Sequence, residues 1–167
     1  MARIDEIDRR TDVVFILFYF AEEIRGVTKL QKLLFLIEQE TEFFEEYKDD
    51  VAFNFAPYKM GPFSDEVYSE LEFLLQLNAI ESKSIQPEAS EPSPSLKDKR
   101  FIITPKGEKI AKTLVELLEP SYQVEIEELV EKYNSMYLRD LLRYVYSTYP
   151  DYAVESEIQD KIFSEAH

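Results

Sequence analysis

The chain has 167 residues, a formal net charge of −15, no cysteine, and a single histidine, His167, at its last position. This composition excludes disulfides, thiolate nucleophiles and cysteine metal sites, and neither a Ser-His-Asp triad nor a multi-histidine metal site is expected. The length is sufficient for one compact domain with a sizeable core, and 45% hydrophobic residues with abundant Glu, Lys and Leu predict a mainly helical protein.

The first predicted helix covers residues 12 to 25. Thr11 and Asp12 are candidates for its N-cap, and Gly26 is the candidate for its C-terminal end. Its apolar run, residues 13 to 21, is about half the length of a bilayer span. We therefore expect a central buried helix, no membrane partner and a cytoplasmic location.

The second predicted helix begins after Thr28. Its apolar residues recur at the spacing of one helical face, at Leu30, Leu33, Leu34 and Ile37. Lys29 and Lys32 are predicted to lie on the opposite, polar side. Residues 41–63, acidic and aromatic at first and then extended, are predicted to form an insertion.

The third predicted helix follows the words "GPFS". Proline disfavours helix at the residue before it, and Ser64 is a good N-cap residue. Phe63 is predicted to point into the core as part of a hydrophobic staple. The expected buried stripe of this helix is Val67, Leu71, Leu74 and Leu75.

Two short strands are predicted at "AIESKSI" and "RFIIT", joined by a polar wing loop at residues 86–99. Thr104 as N-cap and Pro105 at the first helical position predict a fourth helix, which Gly107 weakens. Two further helices are predicted in residues 119–167. Four tyrosines of this extension are predicted to form either a dimer or partner surface or the rim of a small core: Tyr133, Tyr137, Tyr144 and Tyr146.

The words "KLQKLLFLIE", "FNFAPYKMGPFSDEVYSELEFL" and "RFIITPKGEKIA" resemble the YwgA-like proteins and, more distantly, the SocA or Panacea-type antitoxin domain. The resemblance implies a winged-helix-related scaffold used for regulation or partner binding, with no active site to transfer. The residues that match the shared motif, as structural positions, are Tyr58, Gly61, Pro62, Phe63 and Ser64. The predicted fold is mainly α with a small β wing: a winged-helix-like domain at residues 1–118 and a helical extension at residues 119–167.

Charge decides between two functional hypotheses. From Met60 to Ser82 there is no Lys or Arg, so standard reading of a DNA groove by the third helix is disfavoured. The basic stretch around the wing contains the candidate DNA contacts, whose alternative role is to face water on a solvated loop and helix: Lys97, Lys99, Arg100, Lys106, Lys109 and Lys112.

We therefore predict a non-enzymatic, winged-helix-type regulatory protein that acts through protein–protein interaction, with antitoxin-like action as one form of it and with another protein or a second copy of itself as partner. The alternative is a transcriptional regulator that contacts DNA through its basic wing. Neither hypothesis requires a cofactor, a metal or a small-molecule substrate.

Overall fold

A computed structural model of the protein describes residues 7–85 and 99–153. The described chain is mainly helical with a small antiparallel sheet, as the sequence predicts. Its helices are α1 (Arg10–Ala21), α2 (Val27–Glu40), α3 (Glu42–Val51), α4 (Asp65–Gln76), α5 (Pro105–Leu117), α6 (Pro120–Asn134) and α7 (Leu138–Thr148), followed by a 3₁₀ turn at Pro150–Tyr152. Its strands are β1 (Glu23–Arg25), β2 (Ala56–Tyr58), β3 (Gly61–Phe63), β4 (Ile80–Ser84) and β5 (Lys99–Ile103).

The larger sheet has the strand order β1-β5-β4, with every pair antiparallel. The predicted first helix is therefore too long, because its last turn is strand β1. Helix α1 ends where Glu22 takes a φ of +64°, and Ile24 then pairs with Phe101 and is buried. The two strands predicted on either side of residues 86–99 are confirmed as β4 and β5, while most of the loop predicted to be a wing, including Lys97, lies outside the described residues.

The segment predicted as an insertion contains regular structure. Helix α3 begins at the Thr41 cap, whose hydroxyl accepts the Phe44 N–H at 3.1 Å. Strands β2 and β3 then form a two-stranded hairpin in which Tyr58 is opposite Gly61. Gly61 has a φ of +89°, a backbone conformation that other residues resist.

Helix α1 lies at the centre of the core. Its residues 12 to 18 are all buried, and α1 contacts α3, α4, α5 and α6. Helices α6 and α7 also pack on α2, so one hydrophobic core is continuous across the predicted boundary at residue 118. No helix in the described ranges combines the length and the apolar character needed to cross a membrane.

The helix starts predicted at Ser64 and Thr104 are confirmed. The Ser64 hydroxyl accepts the Glu66 N–H, and the Thr104 hydroxyl accepts the Gly107 N–H at 3.1 Å. Gly107 has a packing role that the sequence did not reveal, because a Cβ at this position would lie 1.9 Å from the carbonyl oxygen of Ala79. Only glycine lets the start of α5 approach the chain before β4 so closely.

Candidate functional site

A side chain of α2 binds the backbone of the GPFS turn. The Gln31 side chain donates to the Ser64 carbonyl and accepts the Ser64 N–H, both at 3.0 Å. The Ser64 hydroxyl in turn donates to the Phe53 carbonyl at 2.6 Å. All these groups are buried. The motif segments KLQKLL and GPFS, which are separate in the sequence, therefore contact each other in the fold.

Lys32 completes this contact from inside the core. Its side chain is 1% exposed, and its Nζ donates to the Pro62 carbonyl at 3.0 Å. Burial lowers the pKa of Lys32 from 10.5 to about 7. Gly61 lies against Tyr146 of α7, since a Cβ on Gly61 would be 2.7 Å from its ring.

Lys29 and Lys32 are thus not on a polar side of α2, and that prediction is wrong. Lys29 is 6% exposed and donates to the carbonyls of Asn134 and Met136, at 3.0 and 2.6 Å. Asn134 is the last residue of α6 and Met136 lies just beyond it, where helical backbone acceptors have no intrahelical donor. Each buried lysine therefore donates hydrogen bonds to backbone carbonyls that are distant in the sequence and close only in the tertiary structure.

Three aromatic rings contact one another in a row along the outside of the hairpin and α4, each tilted against the next. The ring centroids of Tyr58 and Phe63 are 4.8 Å apart, and those of Phe63 and Tyr68 are 5.9 Å apart. Phe63 therefore forms the predicted staple, but with Tyr68 at the surface and not with the core. Tyr58 is 47% exposed, and Phe73, farther along α4, is 44% exposed.

Carboxylates lie among these rings. Asp65 and Glu72 are exposed on α4, and neither takes part in an ion pair within the part of the chain that the structure describes. Helical spacing places them on one side of α4, between the flanks that carry Tyr68 and Phe73. We call this surface the aromatic–acidic face: Tyr58, Phe63, Asp65, Tyr68, Glu72 and Phe73.

A cavity of about 270 Å³ opens at the N-terminal end of this face, with Asn54, Tyr58, Phe63, Asp65 and Glu66 among its lining residues. We call it the hairpin slot. Next to the slot, the Nε of Arg10 is 2.9 Å from a carboxylate oxygen of Glu66 and also donates to the Ala52 carbonyl.

Glu38 adds a further carboxyl group beside the slot. Its carboxylate accepts the Phe53 N–H at 2.8 Å. Burial raises the pKa of Glu38 to about 7, helped by the negative charge of Glu66 and opposed by the Phe53 N–H and by Arg10.

The candidate DNA contacts fall into two groups. Lys106, Lys109 and Lys112 are exposed and line one groove of about 570 Å³ along α5. Lys99 and Arg100 are half-buried on β5, where the guanidinium of Arg100 is 2.8 Å from the carboxylate of Glu23.

The sequence interpretation missed two cations that the sheet places beside Arg100. Arg25 of β1 and Lys83 of β4 are its register partners, so three cations form a row across the exposed side of the sheet. Lys83 is 3.7 Å from Glu81. Of these strands only β1 alternates charged and apolar residues, and no local pattern shows that its Arg25 lies beside Arg100.

The tyrosine surface predicted for the extension is not formed as a set. Tyr133 and Tyr146 are each 2% exposed and belong to the core, so the structure contradicts an interface role for them. The hydroxyls of Tyr133, Tyr144 and Tyr149 each donate to Glu40 at 2.6 Å. Burial alone would raise the pKa of Glu40, but these three hydroxyls and Lys132 lower it. Tyr137 is 83% exposed and is the one member of the predicted set at an open surface.

Nothing in the described ranges resembles a metal centre, since no three Asp, Glu, His or Cys side chains there are grouped so that they could hold an ion. Comparisons with protein-family models, with curated proteins and with solved structures find no match to this chain. The resemblance to the YwgA-like and antitoxin families therefore stays a prediction.

Proposed function

We propose that the protein is a non-enzymatic, cytoplasmic regulator that acts by binding another protein through the aromatic–acidic face. The observation that supports this most directly is the row of contacting rings of Tyr58, Phe63 and Tyr68, in which Tyr58 and Tyr68 are exposed and Phe63 is half-buried. Aromatic side chains are enriched at protein interfaces because they bury a large area and also tolerate water. Asp65 and Glu72 give the same face a negative charge that selects partners by sign.

The proposed scaffold is a winged-helix-type domain. The order of α1, β1, α2, α4, β4, β5 and α5 fits that arrangement, with α4 in the place of the groove-reading helix and β4–β5 in the place of the wing. In this chain α4 would present carboxylates where a DNA reader presents cations. A protein partner, including the toxin of an antitoxin-like pair or a second copy of this chain, fits that surface better than a duplex.

Site-specific photocrosslinking tests the proposal. A photoreactive phenylalanine analogue in place of Phe73 should yield a crosslinked band in cells of the source organism, and mass spectrometry identifies the partner. The matched control is the same analogue at Leu117, which is 36% exposed and lies on α5, outside the hairpin and α4 that form the aromatic–acidic face. The Phe73 band should disappear in a Tyr58→Ala, Tyr68→Ala chain.

A dimer would appear in the same experiment with purified protein, as a band near twice the 19.7 kDa of the chain. Equal crosslinking from Phe73 and Leu117, or no band from Phe73, would contradict protein binding through this face.

The second candidate function is DNA binding by the sheet and α5. It is favoured by the row formed by Arg25, Arg100 and Lys83 and by the three exposed lysines of α5. Phosphate contacts from several cations give an affinity that falls steeply with salt, by about 0.9 in the logarithmic slope for each contact.

Fluorescence anisotropy with a labelled duplex at 50 mM salt tests this candidate. Binding should weaken when Arg25, Lys83 and Arg100 are changed to Gln, and the salt slope should become shallower. The corresponding change of Lys106, Lys109 and Lys112 shows whether α5 takes part. An unchanged anisotropy at micromolar protein would remove DNA binding from consideration.

A further inference from the structure

The hairpin slot has the size of a side-chain pocket and not of a cofactor site. Its volume of about 270 Å³ is below the range of about 300–1,000 Å³ that is usual for small-molecule pockets. Its rim is exposed at Asn54, Tyr58 and Asp65, so a side chain from another molecule can reach it. The slot therefore fits a single protruding residue of a partner protein.

The walls of the slot favour a planar cation. Tyr58 and Phe63 supply aromatic rings, on which a guanidinium group can stack. Asp65 and Glu66 supply carboxylates, which arginine can engage with two parallel hydrogen bonds. Lysine offers neither the planar group nor the paired geometry.

The charges around the slot also favour binding of a cation. Two carboxylates, Asp65 and Glu66, line the slot, and Arg10 beside it pairs with Glu66, so Asp65 is left without an ion pair within the described residues. The buried oxygen of Glu66 is the one that lies 2.9 Å from Arg10 Nε, so Glu66 is already ion-paired although the Nε–H is directed to the Ala52 carbonyl. Within the same hairpin, Lys59 already holds its ammonium group 5.9 Å from the Tyr58 ring centroid.

We infer that the hairpin slot is an arginine-binding pocket, which anchors an arginine-bearing segment of a partner protein against the ring pair of Tyr58 and Phe63 and the carboxylate of Asp65. This inference rests on the proposed function, since it names the chemistry of the partner that the aromatic–acidic face recognises. Asp65 pairs with the guanidinium group, and one face of that group lies on the Tyr58–Phe63 ring pair, because rings only 4.8 Å apart leave no space for a group between them. The remainder of the face, with Glu72 and Phe73, contacts residues that follow the arginine.

A titration of the full, isotope-labelled chain with the peptide acetyl-Gly-Arg-Gly-amide tests the inference by NMR. We expect saturable chemical-shift changes confined to residues 53 to 66. The peptide with citrulline, a neutral isostere of arginine, should bind at least about tenfold more weakly because it loses the charge-assisted pairing. The lysine peptide should also bind more weakly.

Matched variants locate the binding. Asp65→Asn and Tyr58→Leu should each weaken arginine binding by about tenfold. Glu72→Gln makes the same change of charge outside the slot and should leave the affinity within about twofold. Each variant is accompanied by a thermal unfolding curve, since Asp65 and Tyr58 are exposed and their substitution should preserve the fold.

Two results would overturn the inference. The first is no saturable shift change. The second is a shift pattern spread over all acidic surfaces that the lysine peptide reproduces and Tyr58→Leu leaves intact, because that is general attraction to a chain of charge −15. If crosslinking from Phe73 persists in either of these cases, the proposed function stands without the arginine anchor.

Discussion

Helices α2 and α5 both carry lysines three residues apart, but they use them in opposite ways. Lys29 and Lys32 of α2 are buried and donate to backbone carbonyls, whereas Lys106 and Lys109 of α5 face solvent along a groove. Helix α2 has the hairpin on one side and the end of α6 on another, so even its polar positions are enclosed. The difference teaches that the surroundings of a helix, and not its own pattern alone, decide where its cations point.

The largest expected effect is the pH dependence that Lys32 gives to stability. The unfolded chain keeps Lys32 protonated up to its ordinary pKa of 10.5, but the folded chain does so only up to about 7. Between these values the unfolded state binds one proton more, so stability rises with pH, by up to about 5 kcal/mol. Below about pH 7 Lys32 is protonated in both states, so it adds no pH dependence to stability there.

Urea unfolding of the wild-type and Lys32→Met proteins between pH 7 and 10.5 measures the effect. The difference in their free energies of unfolding should change with pH across this window, because the Met variant lacks the titrating group. Lys109→Met on α5 is the matched control and should keep the wild-type slope. Parallel curves for wild type and Lys32→Met would show that Lys32 is not buried as a titrating amine.

The next effect on stability has the opposite sign and comes from Glu38, near the C-terminal end of α2. The pKa of Glu38 is raised from 4.5 to about 7. The folded state therefore keeps a proton that the unfolded state has lost, and stability falls as pH rises from 4.5 to 7, by about 3 kcal/mol. Glu38→Gln should abolish this fall in urea unfolding, while Glu108→Gln on α5, which is exposed, should retain it.

A third substitution tests whether α2 holds the GPFS turn. Gln31→Ala leaves the N–H and C=O of Ser64 unpaired in a buried place, so the free energy of unfolding should drop by about 2 kcal/mol. Hydrogen exchange should also become faster at the amides of residues 61 to 66 than at those of α5. A drop below about 0.5 kcal/mol would mean that this bidentate contact is replaced by water.

The sequence was sufficient for those features that neighbouring residues decide. The caps Ser64 and Thr104, the strands β4 and β5 and the buried residues Val67, Leu71 and Leu74 all follow from local spacing and capping chemistry. Strand β1 does not, because its three residues become a strand only by pairing with β5, more than 70 positions away. The burial of Lys29 likewise depends on Asn134 and Met136, which no local pattern connects to α2.

The candidate site divides in the same way. The motif residues Tyr58 to Ser64 could be located from the sequence, but the direction of Phe63 could not, because it depends on where Tyr58 and Tyr68 place their rings. The sequence interpretation assigned the tyrosines of the extension to a surface because of their composition. In the structure the hydroxyls of Tyr133 and Tyr144 donate to Glu40, and Tyr146 packs against Gly61. Residue type thus predicts which groups can form an interface, and tertiary contacts decide which do.

The smallest expected effect completes the contrast between the two helices. Changing Lys106, Lys109 and Lys112 to Gln should alter the free energy of unfolding by less than about 0.5 kcal/mol per site, because exposed side chains without buried partners contribute little. The net charge moves from −15 to −18, so the small loss that we expect should come from charge repulsion and disappear in 0.5 M salt. Urea unfolding at both salt concentrations measures it. A salt-independent loss of more than about 1.5 kcal/mol would mean that the α5 lysines stabilise the fold through contacts of their own. They would then not be available to bind phosphates, as the DNA-binding candidate requires.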